Sequence, residues 1–146
     1  MTKTNHMLPE TPFEQIEGIL RAIKAAKKAA FKDKKIDITL DQWAVIKSIS
    51  EAEHANQSYL ASATHKDPAA ITRMIELLVK RDLVQRKAEK SDKRAYHVKL
   101  TRKGAGMARK VAPVVEKINA QALQDVSDRD LSAIKRIAGK IIDGLA

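Results

Sequence analysis

The side chains in this sequence that can do chemistry are mostly cations, and they are bunched. Between Lys80 and Lys103 stand ten Lys or Arg against three acids, so most of the formal net charge of +10 falls in one short stretch. Lys90, Lys93 and Arg94 crowd a single polar loop with Asp92, and Arg73 lies a little upstream. A guanidinium at such a place can bond a phosphate or the O6 and N7 of a guanine. Basic runs are often no more than solvated surface. Concentrated beside a pair of short helices, they are the footprint expected for a polyanionic partner.

Other chemistries find little support. There is no G-x-S-x-G elbow, no H-E-x-x-H pair, and the five glycines form no phosphate-cradling loop, so no enzyme activity is expected. Glu51 with Glu53, and Asp128 with Asp130, lie near probable helix ends, where solvation and capping explain them. Glu51, Glu53 and His54 can be drawn as metal ligands. Four scattered His and no Cys, however, do not supply the converging donors that zinc needs, and neither metal nor cofactor is expected. The lack of Cys also removes disulfides and thiol redox sensing, and suits a reducing compartment. No apolar run is long enough for a membrane helix, and the N-terminus lacks the order of a signal peptide, so a cytoplasmic protein without a membrane partner is expected.

The elements that must position these cations follow from caps and periodicity. Asp67-Pro68 is a strong helix start, a capping Asp followed by Pro at the first helical position. Ile71, Met74, Ile75 and Leu78 then recur at i, i+3, i+4 and i+7 and must face a core, leaving Ala69, Ala70, Thr72, Arg73 and Glu76 on other faces. Upstream, Ser58 to Ala63 is a second short helix, and Thr64-His65-Lys66 is the right length for the turn between the two. Downstream, Leu83–Lys87 and Ala95–Leu100 read as strands flanking the polar loop Ala88 to Arg94, a charged hairpin that forms a wing.

The flanks are helical. Met1 to Pro12 reads as a loosely docked arm. Phe13, Ile16, Ile19, Leu20, Ile23 and Ala30 form one stripe of a long helix, and Thr39 with Gln42 has the spacing of a capping box opening the next. There Trp43, Val45, Ile46 and Ile49 point inward, with Trp43 a core anchor. Leu77 and Val79 make the helix after Asp67 apolar on more than one side, and cover by the wing or the long helices is expected. Thr101 caps a further helix, in which Pro113 predicts a kink. Ser127 with Asp130 opens a last one, striped by Leu131, Ile134, Ile137, Ala138, Ile141, Ile142 and Leu145. Stripes at both ends with no neighbour to cover them predict a two-fold dimer.

The runs Ile71–Glu76 and Leu83–Arg86, then Asp92-Lys93-Arg94, then Val98 to Gly104 with its L-T-x-x-G spacing, resemble the MarR family of bacterial transcription regulators. The likeness spans about two-thirds of the chain. It implies that the helix carrying Thr72 and Arg73 enters the major groove, that the wing Arg94 reaches the minor groove, and that Asp92 holds that arrangement. It also implies a dimer, a repressing role and a small-molecule effector bound between the dimer helices and the DNA-binding part. His65 and Asp82 stand where the family commonly has Gly, and both residue types tolerate left-handed backbone better than most.

The expected fold is therefore mainly α with a small β-hairpin wing: one domain over 1–146, a winged helix-turn-helix over 39–101, and dimerisation helices over 10–35 and 102–146. The expected function is homodimeric, sequence-specific recognition of an inverted repeat in double-stranded DNA. Lys66, Ala69, Ala70, Thr72, Arg73, Glu76, Lys90, Asp92, Lys93 and Arg94 are the candidate contacts, and no effector-binding residues are assigned. The alternative is a basic winged helix that binds RNA or a protein partner without reading sequence.

Overall fold

Each described helix starts where an oxygen-bearing side chain takes up an orphan backbone N–H. The computed structural model describes residues 11–90 and 96–146; of the arm expected over Met1 to Pro12, residues 1–10 lie outside the described residues, while Thr11 and Pro12 instead cap and open the first helix. Thr11 accepts from the amide of Glu14, Thr39 from Gln42, Asn56 from Tyr59, Asp67 from Ala70, Thr101 from Gly104 and Ser127 from Asp130. Each such cap contributes about 1 kcal/mol. They open α1 (Pro12–Asp33), α2 (Leu40–Glu51), α3 (Gln57–Thr64), α4 (Pro68–Lys80), α5 (Arg102–Ala122) and α6 (Asp128–Asp143). At α6 the box closes in both directions, and the hydrogen bonds from Ser127 hold the Asp130 carboxyl below its usual pKa. α5 runs unbroken through Pro113.

Three helices end on a residue with positive φ that is not glycine: Lys35 after α1, His65 after α3 and Asp82 after α4. At each, the following amide reaches back to close the last turn: Ile36 to the carbonyl of Phe31 at 2.8 Å, Lys66 to Ala61 at 3.0 Å, Leu83 to Leu78 at 2.9 Å. Phe31 with Ile36, and Leu78 with Leu83, are buried, so the apolar contact that accompanies this cap is present twice. His65 and Asp82 thus adopt the left-handed backbone that their residue types predict; Lys35 does so without a sequence signal.

The sheet has three antiparallel strands in the order β1 (Ala55–Asn56), β3 (Tyr96–Leu100), β2 (Val84–Ala88). The hairpin falls within one residue of expectation, while β1 is an addition. Two residues are too few to show alternation, and they become a strand only because Ala55 and Asn56 pair with Val98 and His97.

One core joins these elements. Trp43, Val45, Ile46 and Ile49 from α2 meet Leu60 from α3, Ile71, Ile75 and Leu78 from α4, Val84 and Val98 from the sheet, and Val111 and Val115 from α5. Trp43 is a core anchor, as its size implies. The L-T-x-x-G run has a steric explanation: a Cβ at Gly104 would lie 1.9 Å from the carbonyl oxygen of Leu83, so the start of α5 packs onto backbone that no side chain could clear. Thr101 secures the same junction, its hydroxyl donating to the Asp82 carbonyl and its amide to that of Leu83.

The ends differ. Phe13, Ile16, Ile19 and Leu20 on α1, and Leu131, Ile134, Ile137 and Ile142 on α6, are exposed, and α6 buries no residue at all.

Candidate nucleic-acid interface

α4 carries two interleaved stripes. Ile71, Ile75 and Leu78 are buried and Met74 is half-buried, while Ala69, Thr72, Arg73 and Glu76, at the same i, i+3, i+4, i+7 spacing, begin two residues earlier. At 3.6 residues per turn that offset is about 200°, so the second stripe lies opposite the core. Ala69, Arg73 and Glu76 are exposed, and Ala70 and Thr72 are half-buried. Among the described residues Arg73 pairs with no carboxylate, and Glu76 leaves it unengaged. Of the two residues expected to be covered, Val79 is half-buried against the core, while Leu77 stays exposed beside this face.

The helix is held in place by polar contacts that join residues far apart in sequence. Gln57, at the first turn of α3, donates from its amide to the carbonyl of Pro68 at 2.9 Å and to the hydroxyl of Thr72 at 2.6 Å. Thr72 in turn donates to Pro68 at 3.0 Å. Its hydroxyl is therefore engaged within the protein, and what Thr72 presents outward is chiefly its methyl group. Lys66 forms an ion pair with Asp41 at 3.0 Å, tying the turn between α3 and α4 to the start of α2. Gln57 and Asp41 are the residues that sequence reasoning missed here, since a contact across 15 or 25 positions leaves no local periodicity.

Beside α4, Arg86, Lys87, Lys90 and Lys99 are exposed on and around the two long strands. Arg86 lies over the ring of Tyr96 at 5.3 Å, a cation–π contact that presents its guanidinium from the wing. Asp92, Lys93 and Arg94 lie outside the described residues. The base of the wing also brings together His54, Glu89 and His97, whereas the sequence had set His54 beside Glu51 and Glu53.

Among the clefts large enough for a small ligand are these two. One, of about 520 Å³, lies between α2, β3 and α5 and is lined by Ile49, Glu53, Lys99, Leu100, Ala108 and Arg109. The other, of about 420 Å³, lies between α1 and α5, with Ile19, Ile23, Ile118 and Gln121 on its walls. No described helix is long and apolar enough to cross a membrane.

The sequence pattern of the MarR family matches residues 38–96. The chain is 29% identical over 131 residues to the uncharacterized HTH-type transcriptional regulator YhbI of Bacillus subtilis, covering 88% of this chain and 85% of that one. It is 27% identical over 147 residues to the HTH-type transcriptional repressor NicR of Pseudomonas putida, covering 97% and 93%. Among solved structures, AbsC, a MarR family regulator from Streptomyces coelicolor, superposes with a TM-score of 0.79 at 22% identity, over 95% of this chain and 98% of that one. A single-substitution variant of MarR from E. coli complexed with operator DNA gives 0.70 at 23%, over 90% and 99%. BpsR of Bordetella bronchiseptica, whose DNA binding is regulated by 6-hydroxynicotinic acid, gives 0.71 at 23%, over 93% and 99%.

Proposed function

We propose that this chain, whose residues 38–96 match the pattern of the MarR family, is a MarR-type transcription regulator: a homodimeric repressor that binds an inverted repeat in double-stranded DNA and answers to a small effector. The observation that carries this reading is α4: a helix pinned by its buried stripe, with Arg73 exposed on the opposite stripe and the cations of the hairpin beside it. An Arg so placed can read a guanine edge in the major groove, with the small Ala69 allowing close approach and Glu76 able to accept from a cytosine amino group. Lys90, Lys93 and Arg94 supply charge for the neighbouring backbone and minor groove, with Asp92 as the acid that orders them. Lys66 acts through its pair with Asp41 until a phosphate competes for it. The alternative of RNA or protein binding has no observation of its own to favour it, whereas a relative of the same fold is complexed with operator DNA.

The exposed stripes of α1 and α6 are the surfaces by which two copies join, making residues 12–33 and 102–143 the dimerisation helices around the winged helix-turn-helix. The effector site we assign is the cleft between α2, β3 and α5, because it touches both the long α5 and the wing strand, and because Arg109 and Lys99 offer cations to an acidic ligand. With no Cys, that effector acts without thiol chemistry. The protein works in the cytoplasm and catalyses no reaction.

Selection of bound sites from randomised duplex DNA tests the reading. The expected product is a palindrome with half-site centres about 34 Å apart, one helical turn. Recovery of a single asymmetric half-site at full affinity, or of no enriched sequence, would contradict it.

A further inference from the structure

At the root of the wing, three donors from three elements converge. His54 lies in the loop before β1, Glu89 directly follows β2, and His97 is on β3; one nitrogen or oxygen from each lies within 4.8 Å of the others. His54 Nε2 touches Glu89 Oε1, and His97 Nδ1 is 3.4 Å from the same oxygen. The two imidazole rings lie 4.1 Å apart, tilted by 32°. The His97 Nδ1 atom is buried yet makes no hydrogen bond. A buried ring nitrogen with no partner is a cost that protein interiors rarely tolerate, and a bound cation would remove it.

We propose that His54, Glu89 and His97 form a binding site for a divalent transition-metal ion, Zn²⁺ being the best match. Two imidazole nitrogens and one carboxylate oxygen are a borderline donor set, suited to zinc and its neighbours rather than to Mg²⁺ or Ca²⁺, which require more oxygens. Around a tetrahedral zinc with bonds of about 2.0–2.1 Å, ligand atoms sit roughly 3.3–3.4 Å apart. The His97–Glu89 separation already has that value. His54 needs only to swing off Glu89, and its side chain is half exposed and free to turn. A water would take the fourth vertex. The ion would clamp the loop before β1 to both long strands, adding to the pairing that already ties β1 to β3. The sequence conceals this site because its ligands lie up to 43 positions apart and share no spacing motif.

The inference does not depend on DNA binding, and its test avoids DNA. Full-length, metal-free protein is titrated with Co²⁺ and followed by visible absorption, then with ZnCl₂ against a chromophoric chelator. One Co²⁺ per chain with the intense bands of tetrahedral coordination, displaced by one Zn²⁺, is expected. His54→Ala, in an exposed loop, and Glu89→Gln should each weaken zinc at least as much as the ~10–100-fold that losing an outer-shell partner costs. His65→Asn, which keeps a residue suited to the left-handed turn, should leave zinc binding unchanged. The fold of each variant is checked by circular dichroism. A non-saturating or octahedral Co²⁺ spectrum, or wild-type zinc affinity in both His54→Ala and Glu89→Gln, would overturn the proposal and leave a His54–Glu89 pair packed against His97.

Discussion

The centre of the chain and its two ends treat apolar surface in opposite ways. From α2 to β3, most large aliphatic side chains are buried, Leu77 being the exposed exception, and its helix starts and ends are closed by named hydrogen bonds. On the first half of α1 and along α6, Phe13, Ile19, Ile134 and Ile142 are 58%, 64%, 58% and 68% exposed. Yet α6 has a full capping box and a clean stripe, so it is as well specified as a helix as anything in the centre. A well-capped helix with no buried residue is what half of an interface looks like. On the dimer reading proposed above, the centre stands and presents α4, while the ends bring two such centres to one duplex.

That contrast can be broken from either side. The largest effect is expected at the ends: Ile134→Asp with Ile137→Asp places unpaired charge in the dimer core, costing about 3–5 kcal/mol or more. Sedimentation should then show half the mass or aggregation, and an unchanged dimer would mean that α6 is not the interface. In the centre, Gly104→Ala forces a Cβ against the Leu83 carbonyl. It should cost about 3 kcal/mol, the upper end of overpacking, read as a fall in the denaturation midpoint. Thr39→Ala removes the α2 cap and should cost about 1 kcal/mol by the same measurement. Smallest, and of opposite sign, Lys35→Gly relieves a left-handed residue and should add about 0.5 kcal/mol, the strain released less the entropy that Gly loses.

Those effects also mark what a sequence can disclose. The caps at Thr39, Asp67, Thr101 and Ser127, the stripe Ile71 to Leu78 and the hairpin were legible because each is written in one short contiguous stretch of sequence. The exposed Arg73 followed from the same periodicity. What escaped was non-local: β1 exists only through its partner strand, Gln57 grips Thr72 across 15 positions, and Glu89 finds His54 across 35. Lys35 escaped for another reason, since its left-handed turn is imposed by the closing bond from Ile36 to Phe31 and not by its own residue type. Asp92, Lys93 and Arg94 lie outside the described residues and rest on the sequence: the charge of the loop, and the resemblance for the roles of Asp92 and Arg94.

The central claim is that α4 reads bases through Arg73 while the rest of the basic surface contacts phosphate. Its most direct test is the affinity of Arg73→Ala for the selected palindrome and for random duplex, each measured at several salt concentrations. Base reading predicts a loss of roughly 1–3 kcal/mol on the palindrome, little loss on random DNA and an unchanged salt slope. Equal losses on both duplexes, with the salt slope lowered by about one, would make Arg73 another phosphate contact and contradict the claim.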